Sequence, residues 1–428
     1  MVRLPYGNKH VKVRAARGVK VLTPAGTRPI GDSRKYARTK ISSYFSENRR
    51  FFIPFKNKIA CVVVSDNTRY AFNHVIVPIL LTELENVGIP RENITVLVAL
   101  GLHAPMSHDD LIENMGQQVV DNYRIENHNA NGELVSLGAT TRGTPLLFNK
   151  RFMQSDLKIA TGTVVPHFHA GFGGGYKSIL PGISGKISIL RNHSFDMVAQ
   201  GRARYGLLEG NPIYEDIVEA GHKSGLHLIV NVTVDSEKRM THLFIGEPEA
   251  IHRKAAQALT KDVKVAFDES FDVVVTTNGG YPLDRNLYQC VKGIAIGELM
   301  VKQGGTIILA SECRDGVGHE TFQEYMSFGK DPQEVLSHLR TDEPVEDQDN
   351  IQILARILSR CKVVIVTDGV DPQTVRAMKM EHARSVEDAL RSCGFPARKE
   401  LRVAIIPGGP YVLPVRTLGS PHDNSELG

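Results

Sequence analysis

Five continuous apolar runs constrain this chain most: residues 58–65 (KIACVVVS), 94–99 (ITVLVA), 271–277 (FDVVVTT), 305–310 (GTIILA) and 362–367 (KVVIVT). They do not alternate apolar with polar, so each suits a strand covered on both faces. Between the first two, residues 74–87 carry helical periodicity and stop at Gly88 and Pro90, with Pro78 tolerable only near the helix start. This is a βαβ pattern, so the fold class is α/β, with ligands expected outside the carboxyl ends of the strands. A chain of 428 residues exceeds one ordinary core, so two α/β domains with a ligand cleft between them are expected. The composition changes near Asp268. We therefore expect an N-terminal domain over 1–270 and a C-terminal one over 271–397. The tail 398–428, with its run 401–406 (LRVAII), is expected to return to the first domain. Residues 11–22 read as a strand pair, 226–235 and 238–244 as a hairpin, and 193–201 and 247–259 as helices. A further helix is expected after Ser107, with Asp109 and Asp110 in its first turn.

Composition excludes several classes. The net charge of +4 is small for this length and gives no reason to expect nucleic acid. Five cysteines lie scattered without C-x-x-C spacing, which suggests reduced thiols and a cytoplasmic protein. No run of about 18 apolar residues appears, so no membrane span is expected. The first residues lack the apolar region of a signal peptide.

The chemistry concentrates in residues 166–193, which hold three histidines, six glycines and two lysines. Glycines at 171, 173, 174 and 175 leave backbone N–H groups open to close approach by an anion. Lys177 follows and places one amine, as charge or nucleophile, against such a ligand. The run GFGGGYKS approaches a phosphate-binding P-loop, but Tyr176 stands where the last glycine should be. A zinc site using His167, His169 and His193 is a second reading. A structural glycine loop with satisfied histidines is a third.

Other groups sit where the strands end. Asp66-x-Thr68-Arg69 follows the run 58–65, and Gly101-Leu102-His103 follows 94–99. The plain alternatives are an Asx-turn with a surface arginine and a satisfied histidine. At a strand end, Arg69 is instead suited to hold a carboxylate in bidentate fashion. Further on, Tyr288, Gln289 and Lys292 share one helix face at i,i+3 and i,i+4 spacing. The plain alternative there is a solvated lysine on an amphipathic helix.

These motifs, in this order, resemble the nickel-dependent lactate racemase family of 2-hydroxyacid racemases and epimerases. The resemblance runs from PYG near the start to PGGPYVLP near the end, through D-x-T-R, G-x-H, the glycine-rich stretch and GGYPLD…LYQ..KG. It implies a nickel-pincer nucleotide, the pyridinium-3-thioamide-5-thiocarboxylic acid mononucleotide, tethered to Lys177. It implies His193, sixteen residues later, as the nickel ligand, and His167 with His103 as acid/base pair. Arg69, Gln289 and Lys292 would hold the substrate carboxylate. Asp66, Tyr288 and the backbone of Gly173, Gly174 and Gly175 are the expected cofactor contacts. The implied reaction inverts C2 by hydride transfer to and from the cofactor through a 2-keto acid. Removing a hydride avoids a carbanion beside a carboxylate, but needs an acceptor that side chains cannot supply. Two histidines suit the accompanying proton transfers at neutral pH. Enzymes that make the cofactor are implied partners. Ala104 departs from the family, which often has arginine there. A zinc-dependent hydrolase and a non-catalytic hydroxyacid-binding protein remain as alternatives.

The chain contains no tryptophan. Lactate-acting members carry one in a D-Q-W-Q run, and here the matching run is Asp347-Gln348-Asp349-Asn350. A carboxylate packed on a methyl would be poorly solvated, but on a hydroxyl it becomes a strong acceptor. Asp349 is thus expected to bind substrate, and a polyhydroxy sugar acid is expected ahead of lactate.

Overall fold

The computed structural model describes residues 1–14, 18–341 and 343–417. It contains two six-stranded sheets. The first runs Met240–Gly246, Leu228–Val234, Leu157–Thr163, Ala60–Ser65, Ile94–Ala99 and Arg124–Asn127. Its pairs are parallel except at the Met240–Gly246 edge, which forms the expected hairpin. The second runs Glu381–Ala383, Lys362–Val366, Val301–Ala310, Phe271–Thr277, Val403–Ile406 and Val19–Val21, all parallel. The apolar runs are buried on both faces by the helices between them, as their lack of alternation requires.

Both sheets have a place where the chain direction of travel reverses. In the first, Ala60–Ser65 lies between Ile94–Ala99 on one side and Leu157–Thr163 on the other. Connections leaving neighbouring strands in opposite senses open a crevice beyond their carboxyl ends. Asp66 follows one of these strands and the glycine-rich stretch follows the other. The second sheet repeats the arrangement around Phe271–Thr277, whose continuation leads into the helix Leu287–Glu298.

Several expectations change. Residues 11–22 do not pair with each other: Lys9–Val13 pairs with Val2–Tyr6, and Val19–Val21 joins the second sheet beside Val403–Ile406. The tail therefore completes the second sheet and not the first, and Leu413–Arg416 pairs with Lys264–Phe267. A run as short as LRVAII carries its strand identity in its sequence, but not which of two similar sheets it enters. Residues 418–428 lie outside the described residues. The helix expected over 193–201 shortens to Phe195–Val198, because His193 caps the preceding helix Lys186–Asn192. Pro78 falls in the second turn of Asn73–Asn86. The helix after Ser107 starts as expected, with a capping box between Ser107 and Asp110.

Candidate active site

One cleft takes residues from both halves of the chain, lined by the strand ends of the first sheet, the glycine-rich stretch, the helix Leu287–Glu298 and the start of Gln348–Leu358. The Asp66 loop is built by its own side chain, whose Oδ1 accepts from the Thr68 N–H at 3.2 Å and hydroxyl at 2.7 Å. Its other oxygen, Oδ2, lies 2.6 Å from His103 Nδ1. His103 is delivered by a turn in which Gly101 takes φ +57° and donates to the Gly182 carbonyl. Burial alone would raise the Asp66 carboxyl, but the His103 hydrogen bond and the charges of His103 and Arg69 bring it down to about 2. The ionised Asp66 fixes a proton on His103 Nδ1 and leaves Nε2 as the free nitrogen. Asp66, expected to touch cofactor, is first of all the orienting partner of His103.

His167 sits in a two-residue strand paired with Gly171–Phe172, and His169 lies in the turn between them. Their ring centroids are 4.4 Å apart, and those of His169 and His193 are 4.7 Å apart. Burial, with the nearby Lys177 charge, holds His167 well below its ordinary value. The Ala170 N–H points at its Nδ1 from 3.4 Å, which leaves the ring proton on Nε2. His193 is pushed down to about 3 by burial. The Nε2 of His193 and the Nδ1 of His169 are buried with no hydrogen-bond partner.

The glycines answer to the path of the backbone more than to a ligand. Gly171, Gly174 and Gly175 all have φ between +57° and +77°. A Cβ on Gly171 would lie 2.1 Å from the Leu207 carbonyl oxygen. The N–H of Gly173 donates to Val165 and that of Gly175 to Asn231 Oδ1, both at 2.8 Å. Two of the three backbone donors expected to cradle a phosphate are thus already used, and Gly175 does not line the cleft. Tyr176 is buried against Gly221 rather than standing in a phosphate loop. Lys177 reaches the cleft. Burial and the Arg69 charge lower its amine to about 7, against the opposing pull of Asp349.

From the second half, Asn286 caps the helix Leu287–Glu298 by accepting from the Gln289 N–H. The helix turns Gln289 and Lys292 into the cleft together, with the Lys292 ammonium donating to Gln289 Oε1. Burial and the Arg69 charge hold Lys292 well below its ordinary value. Tyr288 stacks on His319 with centroids 3.9 Å apart, and His319 Nδ1 lies 3.0 Å from both Asp347 oxygens.

Asp349 is only 7% exposed and faces the histidines rather than open space. Its Oδ2 is 3.1 Å from His169 Nε2 and 3.9 Å from His193 Nδ1. The donors that cluster are therefore His169, His193 and Asp349, and not the three histidines of the zinc reading. Sequence reasoning missed this set, along with His319, Asn350 and the loop-holding Asn231 and His252. His252 Nε2 lies 2.9 Å from the Gly173 carbonyl oxygen. Of these only Asn350 carried a signal, as the last residue of the run that matches D-Q-W-Q.

Comparison with known proteins agrees with this architecture. The lactate racemase N-terminal domain model matches residues 6–206, and the C-terminal domain model matches 267–413. A lactate racemase from Thermoanaerobacterium thermosaccharolyticum is 37% identical over 357 residues, covering 82% of this chain and 83% of that protein. One from Lactiplantibacillus plantarum is 37% identical over 356 residues, covering 81% and 83%. The lactate racemase apoprotein structure from T. thermosaccharolyticum matches with a TM-score of 0.88 at 32% identity, over 97% of this chain and 99% of that one. A Thermotoga maritima structure, 18% identical, shares the fold with a TM-score of 0.71 over 92% of this chain and all of the other. No helix among the described residues is long and apolar enough to cross a membrane. Two family models, two curated relatives and a closely similar solved structure agree that this chain belongs to the lactate racemase family, an isomerase family of racemases and epimerases.

Proposed function

We propose that the protein inverts C2 of a 2-hydroxyacid using a nickel-pincer nucleotide tethered to Lys177, and favours a polyhydroxy acid over lactate. The observation that carries this reading is one cleft holding the Asp66–His103 pair, His167 and the basic side chains Arg69, Lys177 and Lys292. The residues fit the tethered group. An amine lowered to about 7 is partly neutral at physiological pH and hence nucleophilic. The unpartnered Nε2 of His193 is a free metal donor. When bound, the nucleotide would supply the hydride acceptor that side chains lack.

The chain's own groups do the rest. Arg69, Gln289 and Lys292 hold the substrate carboxylate by charge-assisted hydrogen bonds. His103, with Nδ1 committed to Asp66, has its Nε2 lone pair free to take the hydroxyl proton. His167 is neutral with its proton on Nε2; it would donate that hydrogen bond to the substrate oxygen, and can act as an acid only after taking up a proton from solvent. The two rings thus face the substrate as opposite tautomers, one offering a lone pair and the other an N–H. Enzymes that make the nucleotide, and a cytoplasmic location where they would meet this chain, belong to the same reading.

The preference for a polyhydroxy acid rests on a polar wall where lactate-acting members have tryptophan. Asp349 is engaged by His169, so the free hydroxyl acceptor there is Asn350 Oδ1, which is buried without a partner. A site built to pair a hydroxyl rejects analogues that lack it.

Intact mass after co-expression with the cofactor-making enzymes tests the tether. One added nucleotide is expected in the parent and none in Lys177→Ala, with activity lost alongside it. A loaded and active alanine variant would end the assignment. Among substrates, kcat/KM should be highest for a six-carbon aldonate, ahead of malate and lactate. Lactate turning over as well as the aldonate would end the polyhydroxy preference, leaving the C2 reaction intact.

A further inference from the structure

We propose that His319 is a specificity-determining residue of the cleft: its free ring nitrogen accepts a hydrogen bond from a hydroxyl that a polyhydroxy acid carries beyond C2. This deepens the proposed function, and rests on that reading for the place of the substrate carboxylate. His319 lines the same cleft as Gln289 and Lys292. Its Nδ1 lies 3.0 Å from both oxygens of Asp347, and a carboxylate there keeps the ring proton on Nδ1. Nε2 is left as an acceptor, and no residue among those described bonds to it. Asp347 and His319 thus form a second carboxylate–imidazole pair in the cleft, supplied by the second half as Asp66 and His103 are by the first.

Several contacts fix the ring. It lies flat on Tyr288, with centroids 3.9 Å apart and planes 9° apart. Tyr288 in turn meets the edge of Phe322 at 5.5 Å. Asp347 holds the ring while taking φ +63°, a conformation that a residue other than glycine enters at a cost. His319 occupies the N-cap of the helix Glu320–Ser327 but makes no side-chain capping bond, although Ser, Thr, Asp or Asn there would. The helix therefore does not account for a histidine at this position. The side chain stays 35% exposed, so its free edge is open to a ligand. A substrate running from Gln289 and Lys292 along the helix face comes to His319 past Tyr288, about one helical turn from Lys292. Lactate has no hydroxyl beyond C2 to offer there, whereas an aldonate has one on each further carbon. With Asn350 Oδ1, buried and unpartnered, His319 gives the wall two acceptors, and a site so built rejects analogues without the donors.

His319→Phe keeps a ring to stack on Tyr288 and removes the acceptor. In nucleotide-loaded enzyme, the ratio of kcat/KM for gluconate, a six-carbon aldonate, to kcat/KM for lactate should fall about tenfold, with the loss mainly in KM. Asp347→Asn, whose neutral amide no longer fixes the proton on Nδ1, should move the ratio the same way, and serves if the first variant fails to fold. Calorimetry on protein made without the nucleotide gives a readout that needs no turnover: the binding preference for gluconate over lactate should fall by a similar factor. Absence of C2 inversion in the loaded parent would end the proposed function, while the calorimetry still tests His319. A ratio unchanged in the folded variants, or kcat/KM lowered alike for both acids, would overturn the proposal by reducing His319 to a support for Tyr288. No preference of the parent for gluconate in either measurement would overturn it as well. So would a loss confined to malate, which would assign the ring to a second carboxylate.

Discussion

The two halves of this molecule build their shares of the cleft by different means. The first half delivers His103 and Lys177 on turns beyond its strand ends and His167 on a two-residue strand; partners from elsewhere hold the turns, Asp66 for His103, Asn231 and His252 for the glycine loop that carries Lys177. The second half delivers Gln289 and Lys292 on one face of a single capped helix. Turns can aim each group separately, which suits residues that must move protons at defined atoms. A helix fixes the spacing of its groups but not an individual aim, which suits residues that share one carboxylate. On the proposed function, the difference would give proton chemistry to the first half and, Arg69 apart, carboxylate binding to the second.

The comparison breaks most sharply if the histidines of the first half prove dispensable. His103→Ala and His167→Ala should each lower kcat by about 10²–10⁴-fold. Asp66→Asn should lower kcat too, with a shifted pH profile, because the amide no longer fixes the His103 proton. Full turnover in His103→Ala, measured in both directions, would remove proton transfer from the first half. Gln289→Ala and Lys292→Ala should act mainly on KM, raising it about 10- to 100-fold for the loss of a charged hydrogen bond. A fall in kcat with KM unchanged would place the helix in the transition state and erase the distinction.

Acid should separate the halves as well. His252 is held down to about 4 by burial, against the hydrogen bond with the Gly173 carbonyl. Its unfolded value is about 6.5, so between these limits the unfolded chain binds the extra proton. Stability is therefore full above about pH 6.5 and falls on acidification, by about 1.4 kcal/mol per pH unit for each such histidine. Hydrogen exchange from pH 7 to 4 should show the sheet around Leu157–Thr163 loosening first, and His252→Gln should flatten that slope. Equal loosening of both sheets would deny the first half its special dependence on buried neutral histidines.

The same contrast decides what could be read from the sequence. The continuous runs announced the buried parallel strands because full burial leaves no alternation. Gln289 and Lys292 were legible because helix spacing is local. The Asp66–His103 bond was not, since two turns meet only after the sheet has formed. The meeting of Asp349 with His169 was still less so, because it joins the two halves. The glycines of 171–175 were read as ligand donors, but three of them take left-handed backbone conformations and two of the N–H groups expected to be free are bonded internally. Chain density of glycine marks an unusual path, and the reason for the path lies in neighbours such as Leu207 and His252 that sequence does not bring together.

The smallest effect concerns the cap of the second half's helix. Asn286 accepts from the Gln289 N–H at 3.0 Å and so anchors the first turn, on which Tyr288 and Gln289 both sit. Asn286→Ala should cost about 1 kcal/mol of stability, since one helix-end donor loses its partner. Because the helix presents Gln289 and Lys292 as a unit, fraying of its first turn should raise KM a few-fold and leave kcat near the parent value. Asn286→Asp, which keeps an acceptor oxygen at the cap, should recover both. If Asn286→Ala lowers kcat instead, without a change in KM, the helix does more than hold a carboxylate, and the division between the halves needs redrawing.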